Sequence, residues 1–114
     1  MIEIGIDIEE ISRFKDKKTG DALLARLFTP AELDYCFAHK HPEQRLTARF
    51  CAKEAAVKAL SGLVNVQYRD IEVLNEKSGK PYLIINGCSF KTKVSLSHTK
   101  TTACAMVAVY DGPF

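Results

Sequence analysis

Three clusters of polar and charged residues in this sequence have side chains that could carry out chemistry. Asp7 lies in the opening segment of the chain. Segment 49–60 reads Arg-Phe-Cys-Ala-Lys-Glu-Ala-Ala-Val-Lys-Ala-Leu and holds Glu54 four residues before Lys58. Segment 95–100 offers hydroxyl groups, an imidazole and an ammonium group. Because buried charges need partners or a metal ion, these clusters are candidates for a binding or catalytic site.

Each cluster also has a purely structural interpretation. Glu54 and Lys58 share a helix face in the favourable acid-before-base order, and an exposed pair of this kind contributes only about 0.3–0.5 kcal/mol. Asp7 could cap a following helix, and His98 could be a turn residue bonded to the backbone. The alanines and bulky apolar residues around Glu54 instead favour a buried helix. No cluster is specific by itself.

The opening segment is predicted to be a strand that carries Asp7 on its polar face. Residues 2–8 alternate isoleucine with polar or small residues, including Gly5 and Asp7, which is the two-residue period of a half-buried strand. Asp7 is therefore expected on a rigid element. Ile11 and Phe14 follow at helical spacing and predict a short helix after the strand.

Two helices are predicted in the middle of the chain. Segment 29–32 reads Thr-Pro-Ala-Glu and combines a capping threonine, a proline at the first helical position and the glutamate of a capping box. It predicts a helix that runs to about His39. Segment 43–60 is rich in alanine with apolar residues at helical intervals, which predicts a long, largely buried helix that ends near Gly62.

The second half of the chain is predicted to form strands. Segments 70–75 and 81–85 flank a five-residue loop with a glycine, as in a hairpin, and 93–98 and 102–110 are rich in valine, serine, threonine and alanine. The predicted fold class is α+β, with a mostly antiparallel sheet packed around one long central helix. At 114 residues the chain is expected to be a single domain, 1–114.

Composition limits the kind of protein. Hydrophobic residues make up 46% and charged residues 26%, as in ordinary soluble proteins. No apolar run approaches the roughly 20 residues that span a bilayer, so we expect no membrane partner. The start of the chain does not resemble a signal peptide, and the four cysteines lack the two-residue spacing of zinc or redox motifs. We therefore expect a reduced, cytoplasmic location.

Two other function classes fit single features of the sequence. A basic excess in segment 11–26 and a pI near 8.3 would suit a module that binds nucleic acid or an acidic protein. However, the chain has no tryptophan and no aromatic stacking platform, so we expect no nucleic-acid partner. His39, His41 and Cys36 could ligate a structural metal, but their loose spacing at a helix end disfavours this.

Taken together, the three clusters resemble the bacterial holo-acyl-carrier-protein synthases, the short phosphopantetheinyl transferases. The resemblance rests on Gly-Ile-Asp-Ile at 5–8, on the lysine–glutamate–alanine helix in 49–59, and on Ser-Leu-Ser-His-Thr at 95–99 before an apolar strand. Their order and spacing match over nearly the whole chain. Cys51 departs from the alanine expected there, but it is also small and apolar.

The resemblance implies a catalytic set of Asp7, Glu54 and Lys58. Asp7 and Glu54 would bind Mg²⁺, and Lys58 would approach the phosphates of coenzyme A and stabilise the leaving group. The implied reaction transfers 4′-phosphopantetheine from coenzyme A to a serine of apo acyl carrier protein and releases 3′,5′-ADP, in fatty acid biosynthesis. Glu54, a metal-held water or Asp7 could take the serine proton, and the sequence leaves this choice open.

The resemblance also implies binding partners. Lys58, Ser97, His98 and Lys100 would hold phosphates of coenzyme A, while nucleotide contacts in 40–45 stay unassigned. Arg13, at the start of the basic segment, would receive the acidic recognition helix of acyl carrier protein. Family members of this size are homotrimers with active sites between subunits, which agrees with a chain too small to enclose a deep cleft by itself.

Overall fold

The computed structural model describes residues 1–113, which form five strands, three α-helices and two short 3₁₀ helices. In chain order these are β1 Ile2–Glu10, a 3₁₀ helix Ile11–Phe14, α1 Ala22–Leu27, α2 Pro30–Phe37, α3 Pro42–Leu60, a 3₁₀ helix Tyr68–Asp70, β2 Ile71–Asn75, β3 Pro81–Ile85, β4 Lys91–His98 and β5 Thr102–Tyr110. The predicted α+β class is confirmed. Within 1–113, no helix has both the length and the apolar character needed to cross a membrane.

The helix predictions succeed where local signals are strong. Thr29 and Glu32 form the predicted capping box at the start of α2, and α3 ends at Leu60, just before Gly62. The α2 helix stops at Phe37, two residues before the predicted end. The structure adds α1, which the sequence patterns did not indicate and which Asp21 caps through the amides of its first turn.

The strands form two antiparallel sheets. In the larger one, β5 lies between β1 and β4 and pairs antiparallel with both, while β2 and β3 form a separate hairpin. α3 packs mainly against β1 and β5. This places one face of β1 directly on the helix that carries Glu54 and Lys58.

Gly5 allows β1 to lie unusually close to α3. A Cβ atom built on Gly5 would stand only 1.9 Å from the Ala55 carbonyl oxygen and 2.9 Å from the Ala59 amide nitrogen. Ala52, Ala55, Ala56 and Ala59 are all buried along this contact. The contact between glycine and small helix residues therefore sets the distance between β1, which carries Asp7, and the α3 helix, which carries Glu54 and Lys58.

The isoleucines of β1 lie on the outer face of the sheet. Ile2, Ile4, Ile6 and Ile8 are 55–68% exposed, and Met106 is exposed beside Ile6 on β5. The alternation thus predicts the two faces of β1 correctly, and the face that packs on the helix is the one with Gly5 and Asp7. A four-isoleucine stripe remains uncovered in the single chain.

A buried ion pair ties α2 to α3. The Lys53 ammonium lies 2.7 Å from Glu32 Oε1, and both side chains have no exposed surface. Burial lowers the pKa of Lys53, while the Glu32 carboxylate acts in the opposite direction. Lys53 also donates to the carbonyl oxygens of Tyr68 and Ile71, so its charge is compensated from three sides.

Candidate active site

Asp7 and Lys58 meet where β1 crosses α3. Lys58 Nζ lies 3.3 Å from Asp7 Oδ1 and donates to the Ile6 carbonyl oxygen at 2.9 Å. The Asp7 side chain is 13% exposed and that of Lys58 is 54% exposed. The ammonium therefore stands at the solvent edge of the site, where it can reach an anionic ligand without leaving Asp7.

The second oxygen of Asp7 is buried without a hydrogen-bond partner among residues 1–113. The Cys51 thiol beside it is a weak donor and gives its hydrogen bond to the Ala103 carbonyl oxygen at 3.5 Å. Burial, followed by the negative charge of Asp7, raises the pKa of Cys51 to about 12. An orphaned, buried carboxylate oxygen is unfavourable unless a hydrogen-bond donor, a water molecule or a cation satisfies it.

Glu54 is held by a residue that sequence analysis missed. The Tyr68 hydroxyl donates to Glu54 Oε1 at 2.5 Å. This hydrogen bond, together with burial, raises the pKa of Tyr68 to about 12, and the charge of Asp7 adds in the same direction. Tyr68 follows a loop after α3, and no local pattern in the sequence indicates that it reaches the site.

The two carboxylates fit a hard divalent cation. Within residues 1–113, no group of three or more potential metal ligands of the His, Cys, Asp and Glu types occurs. A cation between Asp7 and Glu54 would therefore take its remaining ligands from water or a bound substrate. Mg²⁺ binds in this way, through one or two carboxylates together with phosphate oxygens and water.

His98 lines a separate basic cavity of about 330 Å³. Arg45 and Arg49 also line it, and Arg49 is 2% exposed, with its guanidinium carbon 4.0 Å from the Tyr35 ring centroid. Arg49 donates to Asn75 Oδ1 at 2.5 Å, and its buried Nε has no partner among the described residues. Two guanidinium groups and an imidazole make this cavity suitable for an anionic ligand.

In the single chain, Ser97 and Lys100 lie away from the Asp7–Lys58 contact and from the cavity at His98. Ser97 pairs in register with Cys104 on β5, and Cys104 pairs with Ile8, so Ser97 lies on the outer face with the isoleucines. His98 points to the opposite face because side chains alternate along a strand. Lys100 is exposed in the turn after β4, beside a cavity lined by Glu10 and Glu43.

Arg13 lies at the edge of the Asp7–Glu54 site. Its guanidinium donates to Glu9 Oε1 at 2.6 Å and stands 4.6 Å from the Phe50 ring centroid. The Phe50 ring in turn packs against Tyr68, with 5.7 Å between centroids. The exposed cation is thus close to the residues that hold Glu54.

Comparison with known proteins agrees with this geometry. The family model described as the 4′-phosphopantetheinyl transferase superfamily matches residues 3–109. This chain belongs to that superfamily. The match spans Asp7, Glu54, Lys58 and His98, so the candidate site and the cavity at His98 both lie within the matched region.

Similar transferases extend over nearly the same length. A holo-[acyl-carrier-protein] synthase of Moorella thermoacetica is 43% identical over 96% of this chain and 94% of its own length. The crystal structure of the Bacillus anthracis synthase in complex with CoA (3′,5′-ADP) has a TM-score of 0.81, 35% identity and 94% coverage of both chains. The Helicobacter pylori synthase in complex with coenzyme A has a TM-score of 0.81 and 26% identity, covering 94% of this chain and 99% of that one.

Proposed function

We propose that this protein is a holo-[acyl-carrier-protein] synthase. It transfers 4′-phosphopantetheine from coenzyme A to a serine of apo acyl carrier protein and releases 3′,5′-ADP, in fatty acid biosynthesis. The observation that carries the proposal is the buried, unpartnered oxygen of Asp7, whose other oxygen lies 3.3 Å from Lys58 Nζ. The relatives named as holo-[acyl-carrier-protein] synthases support it, and so do their coenzyme A complexes.

Asp7 and Glu54 are the proposed ligands of Mg²⁺. When bound, the ion neutralises charge on the pyrophosphate of coenzyme A and orients it for in-line attack. Lys58 adds a positive charge at the solvent edge of the same site. Because Asp7 and the Ile6 carbonyl oxygen hold its ammonium, Lys58 is already oriented when the pyrophosphate arrives.

The transfer step exchanges one phosphorus–oxygen bond for another. The serine oxygen of the carrier bonds to the β-phosphorus of coenzyme A, and the bond from that phosphorus to the bridging oxygen breaks. 3′,5′-ADP leaves with the bridging oxygen, and Lys58 stabilises the charge that develops there. Asp7 is mostly buried and engaged by Lys58, so Glu54 is the carboxylate proposed to receive the serine proton, directly or through a water.

The basic cavity at His98 is the proposed site for other phosphate groups of coenzyme A. Arg45, Arg49 and His98 provide the positive groups there, and Arg49 is held in place by Asn75 and Tyr35. Planar guanidinium groups bind phosphate through paired hydrogen bonds, which suits a terminal phosphate monoester. This proposal gives Arg45 a phosphate contact, in the 40–45 segment whose nucleotide contacts the sequence left unassigned.

A homotrimer with active sites between subunits is the proposed assembly. The isoleucine stripe is an exposed apolar patch on the outer face of the sheet, and a contiguous patch of this kind is typical of an interaction surface. Ser97 shares this face, so association across it would bring Ser97 to a neighbouring subunit. The proposed single domain, 1–114, would then build each complete site with a second copy.

Acyl carrier protein is the proposed macromolecular partner, and Arg13 with the basic segment is its proposed docking surface. Arg13 is half exposed and stands against the Phe50 ring, which packs on Tyr68, the residue that donates to Glu54. The four free cysteines suit the reducing cytoplasm in which we propose this reaction takes place.

The deciding experiment is the intact mass of an apo acyl carrier protein after incubation with this protein, coenzyme A and Mg²⁺. We expect a gain of one phosphopantetheine arm that is abolished by chelator and by Glu54→Gln. Glu76→Gln, in the exposed β2–β3 turn, is the matched control and should retain full activity. No mass gain on fatty-acid-type carriers, together with no Mg²⁺-dependent coenzyme A binding, would contradict the proposal.

A further inference from the structure

Tyr68 is held at both ends by consecutive residues of α3. Lys53 Nζ donates to the Tyr68 carbonyl oxygen at 3.0 Å, and the Tyr68 hydroxyl donates to Glu54 Oε1 at 2.5 Å. One side chain on α3 therefore fixes the backbone of Tyr68, and the next receives its hydroxyl group.

The Lys53 end of this arrangement cannot easily move. The ammonium is fully buried against Glu32, whose other oxygen accepts a hydrogen bond from the Val73 amide at 2.9 Å. The pair therefore joins α2, α3 and β2 around the 3₁₀ helix that contains Tyr68. Breaking it would leave a buried charge without its counter-ion, which is costly, so the backbone of Tyr68 stays in place.

The ring and hydroxyl of Tyr68 are also constrained. The ring packs against Phe50 with 5.7 Å between centroids. The hydroxyl at the other end of the side chain donates its hydrogen bond to Glu54 Oε1. Glu54 consequently has a donor at a constant position beside one of its two oxygens.

The Tyr68 hydroxyl disfavours an ion pair between Glu54 and Lys58. Glu54 and Lys58 are four residues apart on α3, a spacing at which a carboxylate and an ammonium readily pair. In the structure Lys58 instead pairs with Asp7, and Glu54 accepts the Tyr68 hydroxyl. A Glu54 side chain without Tyr68 could turn towards Lys58 and draw the ammonium away from Asp7.

We propose that Tyr68 is a positioning residue that orients the Glu54 carboxylate for cation binding and keeps it apart from Lys58. This inference rests on the proposed function, in which Glu54 and Asp7 hold a divalent cation. Hydrogen bonds from outer residues orient metal-binding carboxylates, and losing one typically weakens metal affinity about 10–100-fold. The hydrogen bond from the Tyr68 hydroxyl to Glu54 is of this kind.

The test measures metal binding directly, with Mn²⁺ as the probe. Free Mn²⁺ is followed by electron paramagnetic resonance in the absence of coenzyme A, for the wild type, Tyr68→Phe and Tyr82→Phe. Phenylalanine keeps the ring on Phe50 and the carbonyl group for Lys53, so circular dichroism should be unchanged. We expect at least about tenfold weaker Mn²⁺ binding for Tyr68→Phe. Tyr82 is exposed on β3, and its variant should bind as the wild type does.

A double variant separates positioning from a general structural effect. If Tyr68 acts through Glu54, adding Tyr68→Phe to Glu54→Gln should weaken Mn²⁺ binding no further than Glu54→Gln alone. An unchanged affinity in Tyr68→Phe, or an additive loss in the double variant, would overturn the inference. Failure of the proposed function would look different, because the wild type itself would then neither bind the ion at this site nor modify the carrier.

Discussion

Replacing Gly5 with alanine should disturb both the fold and the active site. The added Cβ would lie 1.9 Å from the Ala55 carbonyl oxygen, whereas ordinary contact begins at 3.4 Å, so strand and helix must separate by 3.4 − 1.9 = 1.5 Å. Overpacking of this kind costs about 1–3 kcal/mol, and a clash with helix backbone belongs at the upper end. For a chain of this size, about 3 kcal/mol lowers the melting temperature by about 12 °C.

The carrier-modifying activity of the Gly5→Ala variant should fall by more than its loss of stability alone would cause. Asp7 lies two residues beyond Gly5, and Lys58 is the residue before Ala59, so the same separation pulls the 3.3 Å contact of Asp7 with Lys58 apart. A misplacement of about 1 Å at a reacting group can reduce turnover about 100-fold. The assays are thermal melting followed by circular dichroism, at one fixed protein concentration, and carrier modification followed by mass.

Gly87→Ala is the control for this experiment. Gly87 has a positive φ of 77°, but a Cβ there meets nothing within 4 Å. Alanine is strained at this φ, so we expect the free energy of unfolding to fall by only about 1–2 kcal/mol. The activity should be unchanged. A Gly5→Ala protein that melts and turns over like the wild type would refute the argument that Gly5 sets the distance between β1 and α3.

Three further outcomes are expected. Lys53→Met leaves the buried Glu32 carboxylate without its positive partner and should lower the free energy of unfolding by about 3–5 kcal/mol, measured in urea; wild-type stability would contradict this. Ile6→Lys places a charge on the exposed isoleucine stripe and should convert the proposed trimer to monomers in light scattering, whereas a persistent trimer would exclude this face as the interface. Arg13→Glu should weaken acyl carrier protein binding, measured by calorimetry, and leave coenzyme A binding intact; an equal loss of both would argue against docking at Arg13.

The helices show how far local signals reach. The capping box of Thr29 and Glu32 was predictable because its hydrogen bonds join residues three apart. The same Glu32 also receives Lys53 and the Val73 amide, and these contacts bridge 21 and 41 residues. No short pattern records them, so the buried network around Tyr68 could not be read from the sequence.

The strand β1 shows a different limit. Its period of two predicts two faces, but period alone does not say which one meets the core. The structure packs Gly5 and Asp7 on α3 because the helix offers small alanines there, and close approach is possible only where the strand has no side chain. The isoleucines are left outside, available to a partner.

The sequence by itself predicted most helices and strands, the α+β class and, through family resemblance, the proposed site of Asp7, Glu54 and Lys58. Tertiary structure decided how those residues pair. Glu54 is the neighbour of Lys58 on the helix, but Lys58 contacts Asp7 instead. This is because β1 crosses α3 at Gly5 and because the Tyr68 hydroxyl is hydrogen-bonded to Glu54. Such choices depend on contacts between residues distant in the chain, which only the folded structure brings within hydrogen-bonding distance.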